Sequence, residues 1–230
     1  MLRPPASLLL GLAASTLLGS TLLACDPAGP GSFPPEDPAL AADNEAAGDP
    51  YRGRFPFAEA VAGLPESGQL HATIVTEEGS IRCRLFADGA PLSVANFVGL
   101  ARGVRPFSSP TTGEWITRPY YDGLTFHRAQ ERQFVQGGRL DDSGLIGFRL
   151  QDEISVGDAF DKPGVLALGN EGHPHTGAAE FFITTAVLRE LDGKYAILGR
   201  CEDPLVVRAI EARVARGEQV VIETVAITRE

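Results

Sequence analysis

Basic side chains are scarce in this chain, and so are cysteine, tryptophan and long apolar runs. The 230 residues carry 20 Lys and Arg against 30 Asp and Glu, a formal net charge of -10. Nucleic-acid binding relies on Lys and Arg to neutralise phosphates, so this balance argues against such a partner. The acidity favours solubility and says little about fold. Three cysteines, at 25, 83 and 201, lack the paired spacing of metal sites. The one extended apolar run, residues 8–23, is short for a bilayer span and is interrupted by glycine and serine. No internal repeat is visible.

What is present begins with that run. It follows Arg3 and ends Leu22-Leu23-Ala24-Cys25, the pattern of a secretory signal. Its end resembles a bacterial lipoprotein signal. The resemblance implies cleavage before Cys25 and lipid on its thiol and new amino terminus; an ordinary signal peptide with a chance cysteine is the alternative. Two or three acyl chains give stable anchoring, whereas one is marginal. Asp26 resembles an inner-membrane retention signal. The expected location is therefore the cell envelope, with the chain lipid-anchored and facing the periplasm. Cleavage removes Arg3 and no acid, taking the formal charge from -10 to -11. Export permits a disulfide between Cys83 and Cys201. The other reading of Cys83, on the apolar side of an alternation over residues 81–85, is a small buried hydrophobe.

Composition divides the chain into three. Residues 1–24 form the signal. Residues 25–66, rich in Pro, Ala, Gly and acids, read as a disordered tether in which Phe55, Phe57 and Val61 can dock. Residues 67–230 read as one globular domain. Within it residues 70–76 and 81–86 alternate as a hairpin, residues 93–102 are helical before Gly103, and residues 104–119 are a loop. Short strands are expected at 165–168, 180–185 and 195–198. A helix over 205–214 and a strand over 220–227 close the chain. Many short strands with two helices indicate a mainly β barrel or sandwich.

The stretch over 126–138, FHRAQERQFVQGG, is the most unusual. Leu124, Phe126 and Arg128 alternate with Thr125 and His127, which on a regular strand sets the arginine in line with an apolar face and His127 opposite it. Phe134 and Gln136 alternate similarly, and Gly137-Gly138 ends the run. With residues 163–186 (PGVLALGNEGHPHTGAAEFFITTA) and 191–200 (LDGKYAILGR), this stretch resembles the cyclophilins, peptidyl-prolyl cis-trans isomerases, over roughly residues 68–228. The resemblance implies a closed eight-stranded antiparallel β-barrel capped by two α-helices. It implies that Arg128 is the catalytic cation and that Gln136 orients it. Phe134, Phe182 and Leu191 then line a proline pocket with Tyr195 at the rim, and the backbone of Asn170 pairs with a peptide.

The chemistry is consistent with those residue types. An X-Pro bond rotates over about 18–20 kcal/mol without breaking a covalent bond, so neither nucleophile, metal nor cofactor is required. A fixed cation aimed at the imide nitrogen helps the twisted state most, because twisting frees its lone pair. Outside the resemblance, Phe134, Phe182 and Leu191 read as ordinary core. His173 and His175 without a suitably spaced carboxylate do not make a metal site. Asp141-Asp142 and Asp152-Glu153 read as solvated turn charges.

The chain departs from the family in several places. Gln133 stands where a pocket phenylalanine is usual, and Phe134 after it partly substitutes. Glu180 replaces a glutamine, which sets a carboxylate near Arg128. Gly169 and Glu171 replace alanines beside Asn170, and Glu190 replaces an aromatic before Leu191. The expected function is acceleration of X-Pro isomerisation in folding exported proteins, by a monomer with no cofactor and no nucleic acid. The alternative is a catalytically weak module that binds proline-containing segments.

Overall fold

The computed structural model describes residue 1 and residues 32–141, 143–154 and 159–230. The signal segment after residue 1, Cys25, Asp26 and Asp142 lie outside the described residues. Eight strands close into one barrel. They are β1 (Leu70–Thr76), β2 (Gly79–Leu85), β5 (Thr125–Gln130), β6 (Phe134–Gly137), β7 (Val165–Leu168), β8 (Phe181–Thr184), β9 (Ile197–Cys201) and β10 (Val220–Arg229). Their order is β1-β10-β5-β6-β8-β7-β9-β2, all antiparallel. Strands β3 (Phe107–Ser108) and β4 (Trp115–Ile116) make a separate ribbon in the loop after the first domain helix. The 12-residue helices α3 (Pro91–Arg102) and α4 (Pro204–Ala215) cover the barrel, as the resemblance implies.

Alternation in the strands explains the core. In β2, Ile81, Cys83 and Leu85 are buried while Ser80, Arg82 and Arg84 are not. The inward residues join Ala72, Ile74, Val135, Ile183 and Leu198 in one apolar cluster. Phe97 of α3, Tyr121 and Phe126 each meet the ring of Phe181 edge to face. Closure leaves no unpaired edge within the barrel, which removes the aggregation hazard of open sheets. Cys83 and Cys201 face each other across β2 and β9 with Cα atoms 3.8 Å apart, and they form a disulfide.

The reading of residues 25–66 as a disordered tether is corrected over its described part. Helices α1 (Pro38–Ala46) and α2 (Phe57–Ala60) form there, and the segment straps the domain. Asp37 caps α1 through the amides of Ala39 and Leu40. Phe55 is fully buried, its ring where a side chain at Gly99 of α3 would collide at 2.5 Å. A glycine inside a helix costs about 1 kcal/mol; here it admits the strap. Asp49 receives Arg105 Nη1 and Nη2 at 2.6 and 2.7 Å and the amide of Gly53 at 2.6 Å. Both side chains of the pair are 0% exposed, and the guanidinium lies 3.8 Å over the Phe148 ring. Composition alone missed this because the anchors are few and their partners distant.

Two readings of turn charges also change. Glu153 is buried and accepts from the amides of Leu92 and Ser93 at 2.9 and 2.6 Å. It caps α3, whose own N-cap residue, Ala90, has no side chain able to do so. Asp152 accepts from the amide of His175 at 2.9 Å. These acids hold loops rather than face solvent.

Replacing Asp49 by Ala would leave Arg105 charged, buried and unpaired. A loss of roughly 3–5 kcal/mol in chemical denaturation is expected. An unchanged midpoint would show that the strap does not depend on this pair.

Candidate active site

A side chain inside so full a barrel has no room for a ligand, so the site is on the outside. Outward residues of β6 and β8 and the turn before β9 make it. Phe134 and Gln136 point out of β6 while Val135 points in. Phe182 points out of β8 into a second apolar cluster with Phe160, Val165, Ala167, Leu188 and Ile197. Phe160 stacks on Phe182 with ring centres 5.9 Å apart, and Tyr195 meets Phe182 edge to face at 5.0 Å. Phe160 is a support that the sequence reading missed, since nothing near it in sequence marks the site.

Arg128 reaches this face through an irregularity in β5. Phe126 pairs with Gly137 and Arg128 with Gln136, so two steps along β5 match one along β6. This is a β-bulge at His127, and bulges re-aim side chains. Phe126 therefore stays in the core while Arg128 is exposed beside Gln136. The expected alignment of Arg128 with the apolar face of Phe126 is corrected accordingly. So is the placement of His127 away from the site: its Nε2 lies 3.4 Å from Glu180 Oε2.

The guanidinium has two contacts on this face. Its centre sits 5.3 Å over the Phe134 ring, and Nη1 donates to Gln136 Oε1 at 3.2 Å. Gln136 Nε2 donates to Glu180 Oε2 at 2.6 Å. A carboxylate only accepts, so Glu180 dictates which end of the amide faces Arg128. Glu180 does not pair with Arg128 directly. Its carboxylate instead accepts from Arg139 Nε at 2.8 Å. Burial alone would raise the Glu180 pKa, but the neighbouring His127, hydrogen bonds from Arg139 and Gln136 and the charge of Arg139 outweigh it and hold the group at about 2. Arg139, beyond the Gly-Gly pair, was not anticipated. Gly169 completes the fit: a side chain there would press on Glu180 Cβ at 3.2 Å and Gln136 Nε2 at 3.5 Å.

Two cavities open beside Arg128. The smaller, about 130 Å³, is lined by Arg128, Phe134, Gln136, Gly169, Asn170, Phe182, Leu191 and Tyr195. At ~30 Å³ per water it holds about four waters' volume, the scale of one small ring. The larger, about 540 Å³ and mostly polar, shares Arg128, Gln136, Gly169, Asn170 and Tyr195 and adds Arg139, Thr176, Ala178 and Glu180. Asn170 spends its side chain on loop backbone, donating to the Lys194 carbonyl of the turn before β9 at 3.1 Å and accepting from the Gly172 amide of its own loop at 3.0 Å. The structure thus gathers nine of the expected residues. Gln133 is the exception: it sits in the β5–β6 turn, its backbone N–H donating to Glu211 of α4 at 3.1 Å, and does not line the small cavity. Phe134 occupies the aromatic place instead.

An external cation held over an aromatic ring, beside an apolar pocket of one ring's size, defines a surface built to hold a small cyclic side chain and polarise the bond next to it. The comparisons agree. A family model described as cyclophilin type peptidyl-prolyl cis-trans isomerase/CLD matches residues 71–229. A probable peptidyl-prolyl cis-trans isomerase A of Mycobacterium leprae is 36% identical over 167 residues, covering 68% of this chain and 91% of that protein. Peptidyl-prolyl cis-trans isomerase B of Streptomyces anulatus is 36% identical, covering 69% and 97%. The crystal structure of a Cryptosporidium parvum cyclophilin type peptidyl-prolyl cis-trans isomerase shares the fold with a TM-score of 0.57 at 24% identity, over 70% of this chain and 99% of that one. The chain belongs to the cyclophilin-type peptidyl-prolyl cis-trans isomerase family.

The Glu180 network carries a pH signature. Its folded-state pKa lies below the ordinary 4.5. The carboxylate therefore contributes stability that is fully present above about 4.5 and is lost as pH falls towards about 2. In pH-resolved denaturation, parent and Glu180→Gln should differ at pH 6 and converge over that window. Parallel curves would contradict the network.

Proposed function

We propose that the chain isomerises X-Pro bonds in extended polypeptide segments. The observation that carries this is Arg128, set over Phe134 and beside Gln136 at the mouth of the 130 Å³ pocket. A proline ring fits among Phe134, Phe182 and Leu191, and the guanidinium then lies over the imide nitrogen. In the twisted state that nitrogen gains a lone pair and accepts a hydrogen bond that the planar amide cannot. The donor is already oriented, so little reorganisation opposes the rotation. One solved relative was crystallised, by its title, in the presence of the dipeptide Ala-Pro, which supports the substrate class.

The finer reading places the chain in the envelope, anchored through lipid on Cys25 and assisting the folding of exported proteins as a monomer. The Cys83–Cys201 disulfide supports an oxidising compartment. No described helix is long and apolar enough to cross a membrane, which is compatible with a lipid anchor as the attachment.

The binder alternative rested on Gln133 and Glu180. Phe134 takes the aromatic place, and Glu180 is partnered by Arg139 rather than directly by Arg128. Neither residue now argues against turnover.

In a protease-coupled assay on an Ala-Pro tetrapeptide, Arg128→Ala should lower kcat/KM by at least about tenfold, since one such donor is worth ~10²–10³. A folded parent that leaves the uncatalysed rate unchanged would overturn the isomerase reading.

A further inference from the structure

The strap builds a second concave surface beside the cleft. Leu40 of α1 and Ala47 just after it, Leu145 and Phe148 from the loop before residue 150, and Pro174 line a groove of about 520 Å³. Its walls are mainly apolar, in contrast to the polar cleft next to it. Leu145 is 54% exposed there.

Hydrogen bonds and a buried ion pair hold the walls of the groove. Asn44 of α1 donates to the Arg149 carbonyl at 2.9 Å and accepts from the Arg149 amide at 2.8 Å, as a neighbouring strand would. The buried Asp49–Arg105 pair fixes the chain that follows α1. On the far wall, the amide of Asp152 donates to His175 Nδ1 at 3.0 Å. A ligand entering would find the walls already placed, which lowers the entropic cost of binding.

It is also continuous with the cleft at Arg128. Thr176 lines both. The ridge between them is crossed by Arg149 of the groove and Glu171 of the cleft, 3.8 Å apart. One wall lies outside the family match, which begins at residue 71, whereas α1 ends at Ala46.

We propose that the groove extends the substrate site and takes an extended segment of the polypeptide substrate, flanking the isomerised proline and bearing apolar side chains. This rests on the isomerase reading above. A polypeptide held at Arg128 that leaves past Thr176 must cross the ridge into the groove. Extended chain points alternate side chains to one face, so apolar residues spaced by two would enter while the others face water.

The test uses the purified full chain and two fluorescent peptides. One is a tetrapeptide centred on Ala-Pro. The other has about twelve residues, some 40 Å when extended, with Leu at alternate flanking positions. Turnover of the tetrapeptide reads the proline pocket alone, and its absence sinks the isomerase reading. Fluorescence anisotropy reads the groove whether or not turnover occurs. The long peptide should bind at least about tenfold tighter, and that ratio should fall towards one in both Leu145→Asp and Pro174→Asp. Both positions are exposed, and a circular dichroism melt checks that they fold. A parent ratio near one overturns the proposal, as does a ratio that survives both substitutions. A mass that doubles with concentration in the parent and not in the variants assigns the groove to a second copy of the chain and overturns it too.

Discussion

A barrel whose interior is filled has to do its chemistry on the outside. Phe97, Tyr121, Phe126 and Phe181 pack against one another in the core and leave no lumen there. The site is therefore a patch of outward residues on β6 and β8, and it needs its own support. Phe160 and its apolar neighbours provide that, a second cluster behind the pocket that is separate from the main core. The bulge at His127 belongs to the same constraint. It keeps Phe126 in the core while bringing Arg128 to the outer face.

Electrostatic order on that face runs through a chain of donors and acceptors. Arg128 is fixed by an amide, the amide by a carboxylate, and the carboxylate by a second arginine. The arrangement lets an acid stand in the site without pairing with the working cation. Arg139 takes the carboxylate's charge, and Gln136, only 8% exposed, passes on orientation rather than charge. The strap is held by a comparable device. There too an arginine is stacked on aromatic rings, but it pairs directly with a carboxylate through both Nη atoms and is fully buried, where it holds structure and not substrate.

Much of this could be read before the structure was seen. The barrel strands alternate because one face of each is buried, and β1, β7, α3 and α4 fall within two residues of expectation at each end. The pocket residues were legible through their resemblance to the family. What escaped was whatever depends on one backbone irregularity or one distant partner. A regular strand was the natural assumption at residues 124–128, and no residue there announces the bulge. The Pro, Ala and acid content of residues 25–66 resembles a linker, yet Asp49, Asn44 and Phe55 each meet a partner 44 to 105 positions away. Glu180 was expected to face Arg128 because Arg139, just past the two glycines, was not considered as a competitor.

The central claim is that the proline ring sits in the small pocket with the Arg128 guanidinium over its imide nitrogen. A crystal structure of the chain with an Ala-Pro-containing peptide tests it most directly. The ring is expected between Phe134, Phe182 and Leu191, with a guanidinium nitrogen within about 3.2 Å of the proline nitrogen, or of the adjacent carbonyl before rotation. A ring lodged in the larger polar cleft, with Arg128 turned away from the peptide, would contradict it.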